Sequence, residues 1–90
     1  MPLRYTAIFT GRVQGVFFRA TARDLAAGHA VSGWVRNERD GSVKLVAEGE
    51  KDEMDRFIEA IRRAKRPNID AVRIDESPAK GEFIGFDVRY

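Results

Sequence analysis

Residues 11 to 19 read Gly11-Arg12-Val13-Gln14-Gly15-Val16-Phe17-Phe18-Arg19, a composition suited to gripping an anion. The stretch runs from a strand-like segment into a helix-like one. A helix N-terminus offers N–H groups without partners and a partial positive charge, and together these favour an anion. Gly11 and Gly15 permit backbone angles that turn successive N–H groups inward. A tight strand-to-helix turn accounts for the same glycines equally well. No Gly-Lys-Ser/Thr follows, so this is not a Walker loop, and it is not a dinucleotide fingerprint either. Arg19 falls in the first helical turn, where a cation opposes the dipole and an acid would stabilise. A local rule broken in this way points to function. Its planar fork can bind two phosphoryl oxygens, a geometry Lys does not match. The plain alternative is a solvated arginine.

Asn37 is the second residue of interest. It follows Gly33-Trp34-Val35-Arg36 at the end of a strand-like run. Asparagine there is ordinarily a turn former. Its amide could also orient a water for attack on phosphorus. Such a role would be orientation rather than proton abstraction, because an amide has no useful pKa.

What the chain lacks narrows the chemistry. It has no cysteine, which excludes disulfides, thiolate zinc sites and a cysteine nucleophile. No metal cluster or aspartyl-phosphate motif is evident. An alkyl phosphate would be hard to hydrolyse with so few groups. An already activated phosphate, whose leaving group departs without a general acid, asks for less. The remaining task is to hold the phosphoryl group, stabilise its oxygens and align a water.

The elements that must position these residues follow from periodicity. The 90 residues are 43% hydrophobic, so one domain spanning 1–90 is expected. Arg4–Thr10 alternates as a first strand. Phe18, Ala22, Leu25 and Ala26 form one face of a first helix, closed near Gly28. Val31–Asn37 and Ser42–Glu48 read as strands joined through Asp40-Gly41. Met54, Phe57, Ile58 and Ile61 stripe a second helix that starts near Lys51 and stops at Pro67. Ala71–Glu76 and Phe83–Arg89 are further strands.

This order gives an α+β class: a ferredoxin-like β-α-β-β-α-β sandwich with an extra C-terminal strand. The expected arrangement is an antiparallel sheet with two helices on one face. The right-handed crossover makes the first two strands parallel. The loop after the first strand and Asn37 then share one edge of the sheet.

The 11–19 block, with Gly33-Trp34-Val35-Arg36-Asn37 and Asp40-Gly41, resembles the two signatures of the acylphosphatase family. The order of elements resembles that family across essentially the whole chain. The resemblance implies metal-independent hydrolysis of the carboxyl-phosphate bond of acyl phosphates, with no cofactor. It implies that Arg19 and the loop amides of Gln14, Gly15, Val16, Phe17, Phe18 and Arg19 bind the phosphoryl group. It implies that Asn37 positions the attacking water. Two features depart from the family pattern. Glu38 follows the Asn where many relatives carry a small, hydroxylated or apolar residue, and it is expected to point outward. The Gly28–Ser32 lead into the second block also differs.

Other candidates have plainer readings. His29 is expected near the surface past the first helix; Trp34 and Phe17 could border the substrate, though each is more often a packing residue. The Arg62–Arg66 run lacks an aromatic stacking platform and reads as a solvated helix end. A net charge of +2, with acids and bases interleaved, implies only a local anion site. No run is apolar enough to be a leader or to span a membrane. The expectation is a cytoplasmic monomer acting on a small-molecule acyl phosphate, with no nucleic-acid or membrane partner. The alternative is a non-catalytic anion- or RNA-binding ferredoxin-like module. A third option is the acylphosphatase-like domain of larger hydrogenase maturation proteins, against which the short chain argues.

Overall fold

A computed structural model describes residues 1–90. The elements are β1 (Leu3–Gly11), α1 (Phe18–Ala26), β2 (Ser32–Asn37), β3 (Val43–Gly49), α2 (Lys51–Ala64), a 3-10 turn (Arg66–Asn68), β4 (Ile69–Pro78) and β5 (Phe86–Arg89). They form one sheet in the order β4-β1-β3-β2-β5.

Strand alternation decides which face is covered. Tyr5, Ala7 and Phe9 of β1 are buried on the helix side, as are Val43, Leu45 and Ala47 of β3. Phe18 of α1 seats on Phe9 with ring centroids 5.0 Å apart. Phe57 of α2 meets Phe86 of β5 edge-on at 5.5 Å. Phe9 and Phe57 are wholly buried, and such burial contributes about 2–3 kcal/mol for each side chain. Both helices thus lie on one face, and Trp34, Arg36 and Lys44 belong to the opposite face.

β1 and β2 each pair antiparallel with β3, so they are parallel to each other, as the crossover requires. The expected all-antiparallel sheet needs one correction: β5 pairs parallel with β2, and the sheet is mixed. The cause is the crossover at Ala79–Gly85. The chain leaves β4 at the end of the sheet where β2 begins, then returns along the other edge. That crossover takes up residues expected to be strand, and β5 starts at Phe86 instead of Phe83. β4 is longer than Ala71–Glu76 because β1 offers it partners from Leu3 to Gly11. The outcome for function is geometric. β1, β2 and β5 all end at the same edge, and Asn37 and Tyr90 lie there side by side.

Candidate active site

The loop after β1 is held from three sides. Val13 is fully buried in the core. Gln14 donates from Nε2 to the carbonyls of Glu38 and Ser42, at 2.6 and 2.9 Å, tying the loop to the β2–β3 turn. Lys65, just past α2, donates from Nζ to the Val16 carbonyl at 2.6 Å. A trans peptide points its C=O and N–H in opposite directions. Drawing the Val16 carbonyl toward Lys65 therefore aims the Phe17 N–H away from α2.

Two residues take left-handed backbone angles. Gly15 has φ +74°, and a Cβ there would touch nothing, so the requirement for glycine is purely conformational. Phe17 has φ +61°, which strains an aromatic residue, and it is 82% exposed. It stands at the N-cap of α1 and supplies no side-chain cap; the first turn holds no acid. The Phe17 carbonyl receives the Thr21 N–H at 3.0 Å, but no N–H from Gly15 to Ala20 finds an acceptor within the chain. A helix start left this way forfeits about 1 kcal/mol of capping.

Gly15, Phe17, Phe18, Arg19, Asn37 and Tyr90 border one open cleft of about 340 Å³. No Asp or Glu side chain lines it, while Arg19 and Arg23 do. Arg19 makes no hydrogen bond or ion pair within the chain; its guanidinium carbon lies 4.8 Å from the centroid of the Tyr90 ring. Asn37 ends β2 with its side chain on the helix face. Its Oδ1 is buried and has no hydrogen-bond partner. A buried acceptor left unpaired costs about 1–3 kcal/mol, and such a group calls for a functional account.

The expected residues therefore divide. Arg19 and Asn37, distant in sequence, meet in the cleft with Gly15, Phe17 and Phe18. Gln14 and Val16, expected to contribute only backbone N–H groups, keep their side chains out of it. Gln14 is spent on anchoring the loop, and Val16 packs against the core. Arg23 and Tyr90 are cleft residues that the sequence reading missed. The i, i+4 spacing from Arg19 carried the signal for Arg23; Tyr90 needed the β5 register.

The remaining candidates lie elsewhere. Glu38 projects from the opposite face and pairs with Arg36 at 2.8 Å. Trp34 sits on that face between Arg36 and Arg89, each 4.9 Å from its ring. His29 is half-buried and meets Glu53 at 2.9 Å, remote from the cleft. Asp40 closes the hairpin turn by accepting from the Ser42 N–H and hydroxyl, which hold its carboxyl below the usual range. No grouping of three or more His, Cys, Asp or Glu side chains suited to a metal ion occurs.

A family model described as Acylphosphatase matches residues 5–88. An acylphosphatase from Salinibacter ruber is 48% identical over 87 residues, covering 96% of this chain and 92% of that protein. One from Aeropyrum pernix is 43% identical over 90 residues, covering 98% and 89%. The crystal structure of acylphosphatase from Bacillus subtilis matches with a TM-score of 0.88 at 31% identity, covering 98% of this chain and 99% of that one.

Proposed function

The chain belongs to the acylphosphatase family and hydrolyses acyl phosphates, and we propose that Arg19, the loop N–H groups and Asn37 carry out that reaction. Arg19 grips the phosphoryl oxygens with its in-plane N–H groups. The unpartnered N–H groups from Gly15 to Arg19 take up the charge that builds on those oxygens as the bond to the acyl oxygen lengthens. The Asn37 amide holds a water in line with the leaving carboxylate. Water oxygen bonds to phosphorus, the bond from phosphorus to the acyl oxygen breaks, and the carboxylate leaves with the bond electrons. The proton of the water passes to a phosphoryl oxygen, giving carboxylate and inorganic phosphate. No general acid is needed, and no metal is used.

One observation supports this reading above the others: a buried, partnerless Asn37 oxygen in the same cleft as an arginine with no acidic partner, with no Asp or Glu side chain lining it. The reading has the chain acting as one domain and a monomer in the cytoplasm, on small molecules rather than nucleic acid. Every cleft residue it uses comes from one copy, and no helix is long and apolar enough to cross a membrane. Purified protein should release phosphate from benzoyl phosphate in excess chelator, and Arg19→Ala should abolish most of that release. A folded sample that releases none overturns the reading.

A further inference from the structure

We infer that Tyr90 is a positioning residue, whose ring holds the Arg19 guanidinium in the orientation that receives the phosphoryl group. The inference rests on the Arg19 reading above and adds to it the means by which the side chain is held.

The split β-α-β sandwich is complete with four strands, and β5 is a four-residue addition along β2. Its parallel register sets Arg89 against Arg36, so the next residue, Tyr90, falls beside Asn37. Tyr90 is 94% exposed, so core packing does not explain it. The Arg19 guanidinium carbon lies over its ring, 4.8 Å from the centroid, and Arg19 makes no hydrogen bond or ion pair within the chain.

The chemistry of the contact suits the task. An aromatic face attracts a cation through its quadrupole. Stacking takes up one face of the guanidinium, whereas its five N–H donors lie in the plane and point to the edges. The ring therefore orients the fork without using any donor that phosphate needs. A carboxylate in the same place would occupy the fork and cancel its charge.

The test is competitive inhibition by inorganic phosphate, read as Ki, together with kcat/KM on benzoyl phosphate. Tyr90→Leu keeps an apolar side chain but loses the ring. It should raise Ki by about three- to tenfold and lower kcat/KM at least as much, with Tm unchanged. Tyr90→Phe should restore the affinity that Tyr90→Leu loses. In an Arg19→Ala background, Tyr90→Leu should have no further effect on Ki. A wild-type Ki for Tyr90→Leu overturns the inference, as does failure of Tyr90→Phe to restore affinity or persistence of the defect without Arg19. If Arg19→Ala itself keeps the wild-type Ki, the Arg19 grip falls and this inference falls with it. If only Arg19→Ala raises Ki, the grip stands and the Tyr90 role alone is lost.

Discussion

At the end of the sheet where β1, β2 and β5 terminate, Asn37 Oδ1 is buried with no partner, Arg19 meets only an aromatic ring, and Phe17 is strained at positive φ. At the opposite end Glu48, 6% exposed, is fully engaged. Its carboxylate accepts from Arg4 Nε at 2.8 Å and from the N–H groups of Lys80 and Gly81 at 2.8 and 3.0 Å. Nearby, the Tyr5 hydroxyl donates to Asp55 at 2.6 Å and accepts from Lys51 at 3.0 Å. The same short chain satisfies its polar groups at one end and leaves them open at the other. Chain length or poor packing in general therefore does not explain the open groups. They are local to the cleft, where a ligand can complete them.

The largest test of this contrast is Asn37→Ala. We expect kcat on benzoyl phosphate to fall about 100-fold, the scale of a misplaced reactant, with KM nearly unchanged. Tm should hold or rise, because the side chain makes no hydrogen bond that could be lost. A Tm that drops by several degrees with kcat intact would make Asn37 a structural residue like Glu48.

Glu48→Gln probes the closed end. Burial pushes the Glu48 carboxyl up, but the Lys80 N–H, Arg4 and the Gly81 N–H outweigh it and hold it below its ordinary value. A depressed folded pKa stabilises the protein above the unfolded value, and the benefit is lost as pH falls through the folded one. Wild type should therefore lose stability below the unfolded-state value near 4.5, and the variant should lose less there. At neutral pH the variant should be less stable by about 2 kcal/mol, a drop of roughly 10 °C in Tm. Its kcat/KM should match wild type. Calorimetry across pH checks the first part and initial rates the second. A kinetic loss without a thermal one would erase the division between the two ends.

How much of this was legible in the sequence depends on the range of the signal. Phe18, Ala22 and Ala26 announce the buried face of α1 because helical periodicity is local. The crossover rule then carries Asn37 to the edge that holds the Gly11–Arg19 loop. The Phe17 conformation is not legible, since nothing in an aromatic side chain marks it for positive φ. Lys65 reaches Val16 across 49 positions, and on a helix end it looks like any solvated cation. The Gln14 side chain carries no local mark of its role, tying the loop to the Glu38 and Ser42 carbonyls of the hairpin. Tyr90 depends on the parallel placement of β5, which the irregular crossover concealed.

Lys65→Met tests that long-range tie within the open end. The variant keeps the aliphatic stem and removes the donor to Val16. Kinetics should show kcat/KM down about tenfold, the equivalent of one charge-assisted hydrogen bond near the lower end of its range. Tm should move little, since Val13 and Gln14 still anchor the loop. Wild-type kinetics would mean those two anchors alone fix the loop.

The smallest effect is expected at Glu38, next in sequence to Asn37 yet outside the cleft. Strand alternation sends Asn37 to the helix face and Glu38 to the other, where Arg36 neutralises it at 2.8 Å. A carboxylate aimed into the cleft would repel a phosphate strongly, with little screening. One on the far face acts only through the general field, which salt cuts off within about 8 Å at physiological ionic strength. Glu38→Gln should therefore lower KM by less than about twofold at that ionic strength, and by more at 0.01 M salt, where the screening length grows to roughly 30 Å. A large fall in KM that salt does not alter would put the Glu38 carboxylate inside the cleft. The open end would then be regulated by its own chain rather than left clear for the substrate.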